Sequence, residues 1–148
     1  MLFSRNKIVH SSAKLQYRRN LSHKEKFDGI GDKFFFELGR DALVWFLSSV
    51  SDPMAPEEKT VVLPAIYCSS TSQHLMNAGF KIIWCDVDST LNLDLTFLSR
   101  ILQSMKIFAV ITCDYFGFRS SSSAVSVLCK KHGVLVGLDK CHSFTNLS

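Results

Sequence analysis

At 148 residues, with a hydrophobic share of 47% and a charged share of 20%, the chain has material for one ordinary domain with a real core and too little charge for a disordered one. No apolar run approaches the roughly 18 residues of a membrane-spanning helix, and Met1-Leu2-Phe3-Ser4-Arg5 lacks the apolar stretch of a secretory signal. The net charge of +4 is uneven, because residues 1–26 carry seven basic side chains and one acid while the remainder is slightly acidic. That segment has few aromatics between its charges and no recognisable reader motif. It reads as a solvated basic arm, residues 1–33, ahead of the nucleic-acid contact and the transit peptide that are its other readings. The five cysteines form no CxxC pair and no ligand-like spacing with the histidines, so neither a zinc site nor a disulfide scaffold is indicated. An odd number of cysteines, most of them inside apolar runs, suits buried thiols in a reducing cytoplasm.

From Phe34 onward strands and helices alternate. Phe34-Phe35-Phe36 leads into Gly39–Leu47, where apolar residues recur at helical spacing, and Asp52-Pro53-Met54-Ala55-Pro56 ends that helix. Val61-Val62-Leu63-Pro64 is a short buried strand, and Ser69–Asn77 a helix with Ser69 or Ser70 as its cap and Ala78-Gly79 as its stop. Lys81–Cys85 is the next strand, left through Asp86-Val87-Asp88. A helix over about Leu95–Ser104 precedes the strand Phe108–Cys113. Ser122–Lys131 is a helix stopped by His132-Gly133, and Val134–Leu138 is the last strand, closed by Asp139. Strands separated by helices of this length imply βαβ units. The expected fold over residues 34–148 is therefore α/β, a three-layer arrangement with a mostly parallel sheet and helices on both faces.

Right-handed crossovers put every strand-to-helix turn on one edge of such a sheet. Tyr67-Cys68-Ser69, Asp86-Val87-Asp88, Asp114-Tyr115-Phe116-Gly117 and Asp139-Lys140-Cys141-His142 therefore share a rim, where α/β sheets bind ligands. Asp139 is the sharpest feature of that rim. A carboxylate closing a buried strand is costly unless a donor or cation meets it. Two partners satisfy it: the backbone of the next turn, which Asp139 would cap, or a ligand cation such as a protonated pyridine nitrogen. A cysteine nucleophile at Cys141 is a weaker reading, since sequence neighbours such as Asp139 and His142 rarely converge on a thiol in an extended turn. His74 and His132 read as surface or partly buried residues, and Phe34, Phe35, Phe36, Trp45 and Phe46 as core.

Taken in order, Leu38-Gly39-Arg40-Asp41-Ala42-Leu43, Leu63-Pro64-Ala65-Ile66-Tyr67-Cys68-Ser69-Ser70-Thr71, Ala78-Gly79-Phe80 with Asp86-Val87-Asp88, Tyr115-Phe116-Gly117 and Leu138-Asp139-Lys140-Cys141-His142-Ser143-Phe144 resemble the DegT/DnrJ/EryC1/StrS sugar aminotransferases. These are fold-type I enzymes using pyridoxal 5′-phosphate (PLP), and the resemblance spans roughly residues 34–148. It implies that Asp139 salt-bridges the pyridine nitrogen and that His142 contacts the ring near its phenolic oxygen. It also implies that Gly39, Arg40 and Asp41 form the turn holding the cofactor phosphate, which suits a helix N-terminus, and that Cys68 holds the ring-stacking position. Arg40 stands where the family usually has a small hydroxyl residue, though a guanidinium also binds phosphate. Cys68 offers no aromatic face, so Tyr67 would have to turn inward to supply one.

The family's reacting lysine follows the aspartate by well over a dozen residues, which places it past Ser148. Lys140 does not replace it, because adjacent residues on an extended segment point to opposite faces, and Lys130 and Lys131 fall at a helix end. The resemblance thus implies the N-terminal part of an enzyme that moves an amino group from an amino acid, often glutamate, to a keto-sugar nucleotide, as a homodimer when full length. The 148 residues alone are expected to be inactive, with weak non-covalent PLP binding and a sheet that exposes an apolar edge. The alternative is a non-catalytic binding or interaction protein, either a degenerate relative or a basic-armed module for anionic polymers. Membrane association is not expected, and nucleic acid is a poor fit.

Overall fold

The computed structural model describes residues 36–51, 59–118 and 121–142. The basic arm, the prolines at 53 and 56, and Phe34, Phe35, Ser143 and Phe144 lie outside the described residues. Helix α1 (Gly39–Ser51) is followed by strand β1 (Thr60–Pro64), helix α2 (Ser69–Asn77), strand β2 (Lys81–Cys85), helix α3 (Leu95–Ser104), strand β3 (Ala109–Cys113), helix α4 (Ser122–Lys131) and strand β4 (Leu135–Asp139). The strands form one four-stranded sheet in the order β2-β1-β3-β4, every pair parallel.

The burial of each strand follows from its place in that order. Central β1 and β3 are buried along their whole length, as the unbroken apolar runs Val61-Val62-Leu63 and Ala109-Val110-Ile111 demand. Edge strands β2 and β4 are only partly covered. Alternate residues supply two cores. Val61, Leu63, Ala109, Ile111 and Cys113 pack with Leu43, Phe46 and Leu47 of α1 and Leu75 of α2. Val62, Cys85 and Val110 pack with Leu98, Ile101 and Leu102 of α3 and Val125 and Cys129 of α4. The molecule is therefore the expected three-layer α/β arrangement, with α1 and α2 on one face and α3 and α4 on the other.

Local chemistry sets the helix ends. Asp94 caps α3, its side chain accepting from the Phe97 backbone N–H at 2.8 Å. Helices α2 and α4 both end in a left-handed glycine, Gly79 at φ 89° and Gly133 at φ 68°. In each, the residue after the glycine reaches back, Phe80 N–H to Leu75 C=O and Val134 N–H to Cys129 C=O, which is the Schellman pattern that glycine makes strain-free.

The sequence placed these elements closely. Helix α1 runs past Leu47 to Ser51, just before the Asp52 expected to end it, β1 begins at Thr60 instead of Val61, and three further corrections apply. Phe108 lies outside β3, and β4 runs from Leu135 through Asp139 instead of Val134 through Leu138, because Cys113 pairs with Asp139 and carries the ladder to the aspartate. The cap of α2 is Cys68, not Ser69 or Ser70.

Candidate functional site

The four parallel strands all deliver their carboxyl ends to one rim. Strand β1 leaves toward α2 on one face, whereas β3 leaves toward α4 on the other, so the chain diverges between β1 and β3 and opens a crevice there. The Cys113↔Asp139 register sets those two side chains next to each other, on the face that carries α1 and α2. Tyr67, just past β1, reaches across the crevice to them.

Asp139 is 7% exposed, and both of its oxygens are engaged. Oδ2 accepts from the Tyr67 hydroxyl at 2.6 Å, and Oδ1 accepts from the Cys141 backbone N–H at 2.9 Å. The second bond is the turn cap that the sequence allowed. The first brings in a partner that the sequence did not point to. An ionised carboxylate offers roughly four lone-pair positions, so each oxygen retains capacity for a further donor. Burial first, and then the neighbouring Asp139, push the Tyr67 phenol far above its ordinary value of 10.0, so it remains a proton donor throughout the accessible range.

The loops after β3 and β4 are laced together. Asp114 N–H donates to Asp139 C=O at 2.9 Å, and Gly117 N–H to His142 C=O at 3.1 Å. The turn that allows this has Phe116 at φ 52° and Gly117 at φ 84°. Phe116 thereby stands in solvent with its ring centroid 5.7 Å from that of His142, while Tyr115 meets the same imidazole edge-on at 5.9 Å. His142 is exposed and packs against both of these aromatic rings.

The remaining predicted site residues occupy the neighbouring helix starts. Gly39, Arg40 and Asp41 open α1, where a Cβ on Gly39 would meet nothing within 4 Å. Asp41 pairs with His74 of α2, Oδ1 to Nε2 at 3.0 Å. Cys68 is exposed at the start of α2, its sulfur 3.1 Å from the Ser70 hydroxyl. That contact, followed by the backbone N–H groups of Ser70 and Thr71, lowers its thiol to about 7. Cys68 turns outward while Tyr67, 8% exposed, turns inward.

The other thiols are shifted the opposite way. Burial foremost raises Cys85 to about 12 and Cys129 to about 11, while burial followed by the Asp139 charge raises Cys141 to about 11. Cys113 is pushed up further still, again by burial first and Asp139 second. The donor atoms of Cys113, Asp139 and Cys141 all lie within 4.8 Å of one another. Spacing rules miss this cluster because strand pairing, not sequence proximity, assembles it. No helix among the described residues is long and apolar enough to cross a membrane.

Solved structures share this fold. Helicobacter pylori PseC, an aminotransferase involved in the biosynthesis of pseudoaminic acid, matches with a TM-score of 0.63 at 22% identity, over 70% of this chain and 28% of its own. A DegT DnrJ EryC1 StrS aminotransferase from Brucella abortus matches with a TM-score of 0.58 at 20% identity, over 71% of this chain and 29% of its own. The E coli GDP-4-keto-6-deoxy-D-mannose-3-dehydratase, solved with bound hydrated PLP, matches with a TM-score of 0.57 at 20% identity, over 71% and 28%. The chain thus spans less than a third of the length of these structures, and at such identities the likeness establishes the fold. No curated protein sequence matches the chain. The DegT/DnrJ/EryC1/StrS aminotransferase family matches residues 39–146, from the start of α1 onward, and the chain belongs to that family.

Proposed function

We propose that these residues form the cofactor-ring half of a PLP site in an aminotransferase acting on keto-sugar nucleotides, with an amino acid as nitrogen donor. The observation that carries the reading is Asp139, a buried carboxylate at the carboxyl edge of a parallel sheet, beside the crevice and with lone pairs to spare. Family membership supplies the chemical context.

The donor set suits the cofactor. Asp139 would accept from the ring nitrogen and keep it protonated, and PLP when bound supplies the electron sink for chemistry at the amino carbon. Tyr67 holds the Asp139 carboxylate in place from across the crevice through its 2.6 Å bond. Tyr115 and Phe116 set the position of His142, which stands ready to contact the ring's edge. At the start of α1, Arg40 and the helix N-terminus attract a phosphate, and the open space before Gly39 admits one. Asp41, whose Oδ1 lies 3.0 Å from His74 Nε2, works against that attraction.

Turnover also needs a lysine to join the cofactor covalently. Lys140 directly follows Asp139 on extended backbone, so it faces away from the carboxylate's side of the sheet, and Lys130 and Lys131 are exposed at the end of α4. The reading therefore has these residues binding PLP non-covalently, with none of these three lysines joined to it.

A PLP titration followed by absorbance tests the reading. The chain should bind the cofactor reversibly, borohydride should fix none of it covalently, and Asp139→Ala should abolish binding. Unaltered binding by that variant would remove Asp139 from the site and end the proposal.

A further inference from the structure

Cys113, Asp139 and Cys141 bring two sulfurs and a carboxylate oxygen within 4.8 Å of one another at the rim of the sheet. We infer that this cluster is a binding site for a soft divalent cation, zinc above all, with the two thiolates and the carboxylate as protein ligands and the fourth position open to water.

The distances require little movement. A tetrahedral centre with Zn–S bonds of about 2.3 Å sets its sulfurs roughly 3.8 Å apart, so closure asks each side chain to move by a fraction of an ångström to about 1 Å. Two of the three ligands are already fixed. Cys113 and Asp139 are paired neighbours on β3 and β4, 5% and 7% exposed, and their backbones are held by the ladder. Cys141 completes the set from the turn after β4, whose backbone N–H is anchored on Asp139 Oδ1. It is also the exposed member, which gives an ion a way in.

Two features around the cluster match what metal sites need. Tyr67 donates to Asp139 Oδ2 at 2.6 Å, the kind of outer hydrogen bond that orients a ligating carboxylate. The Tyr115 hydroxyl, beside the Cys113 thiol, is buried without a hydrogen-bond partner of regular geometry among the described residues. It is placed to donate to the Cys113 sulfur, and that bond would strengthen once metal binding makes the sulfur a thiolate. Two thiolates with one carboxylate favour zinc over the oxygen-seeking magnesium and calcium ions. On binding, both thiols release their protons to solvent, and the dication is held by three anionic ligands. The ion uses the carboxylate that the cofactor reading also uses, so the two ligands would exclude each other.

Cd2+ is the probe, titrated into the full chain without PLP and with a phosphine reductant, while the ultraviolet sulfur-to-metal charge-transfer band is followed. The band should saturate at one ion per chain and survive in Cys68→Ala and Cys129→Ala. Cys141→Ala, an exposed position whose loss leaves the core intact, and Asp139→Asn should each weaken binding roughly tenfold or more, as ligand loss costs at least what outer-sphere changes do. An unchanged affinity in Cys141→Ala, or a band that disappears in Cys68→Ala, would overturn the site. If Asp139→Asn loses PLP but keeps Cd2+ binding unchanged, the metal site falls and the cofactor reading stands.

Discussion

Tyr67 and Asp139, 72 residues apart in the chain, share a 2.6 Å hydrogen bond with both side chains buried. The bond crosses the end of β3 and so joins the loop after β1 to the end of β4, the first and last strands of the described chain. It gives the carboxylate one partner in the crevice and accounts for Tyr67 turning inward while Cys68 does not. The Tyr67 phenol, raised by burial and then by Asp139, holds its proton and acts as a donor.

Tyr67→Phe removes that donor and keeps the ring. A hydrogen bond to a charged group in a buried setting is worth about 1.5–3 kcal/mol, so the variant should be destabilised by that amount. Urea unfolding at neutral pH checks it, with an unchanged slope and a lower midpoint. A loss under half a kilocalorie per mole would mean that the bond is made only in part of the population.

The fold was legible in the sequence because β1 and β3 are buried on both sides, and such strands appear as unbroken apolar runs bounded by turn residues. Asp139 stood out as a charge closing a similar apolar run, although that run forms the partly covered edge strand β4. Its partners did not. Tyr67 is remote in sequence, and nothing local distinguishes a tyrosine that turns inward from one that faces solvent. Cys113 and Cys141 are likewise joined only through the β3–β4 register, which no spacing motif encodes. The cap of α2 was misplaced by one residue because serine is the better cap on chemistry, yet the chain enters that helix through Cys68.

Cys68 should be the most reactive thiol among the described residues. It is exposed at a helix start and lowered to about 7, first by the Ser70 hydroxyl and then by backbone N–H groups, whereas Cys85, Cys129 and Cys141 are raised. Alkylation with iodoacetamide, read by peptide mass spectrometry, should label Cys68 first with a half-maximal rate near pH 7. Ser70→Ala should move that midpoint toward the ordinary thiol value of 9.0. Equal labelling of Cys141 and Cys68 at neutral pH would contradict this ordering.

Stability should fall on the alkaline side. Cys85 and Cys129 have folded values of about 12 and about 11 against 9.0 for a free thiol, burial being the main cause. A value raised by folding means that the folded state holds the proton more tightly. The stability tied to it is therefore intact below pH 9 and is lost as pH climbs toward 11 and 12. Each such group contributes a slope of at most about 1.4 kcal/mol per pH unit. Urea midpoints between pH 8 and 11 should decline accordingly, and Cys129→Ala should flatten the decline while lowering stability at neutral pH. A flat profile in the parent chain would mean that these thiols ionise in place.

Asp41 offers the clearest test of the phosphate end of the cofactor site. Its pairing with His74 joins two half-exposed side chains, so Asp41→Asn should change stability by less than about 1 kcal/mol. The same substitution removes a negative charge from the first turn of α1, where the helix N-terminus and Arg40 would attract an anion. Charges at such positions are worth about 0.3–1 kcal/mol, so PLP affinity should rise roughly two- to fivefold. The gain should shrink as salt is added, because exposed charges are screened. Pyridoxal, which has no phosphate, should bind both proteins equally. If Asp41→Asn leaves PLP affinity unchanged at low salt while Asp139→Ala abolishes it, the ring is held at Asp139 and the phosphate is held somewhere other than the start of α1.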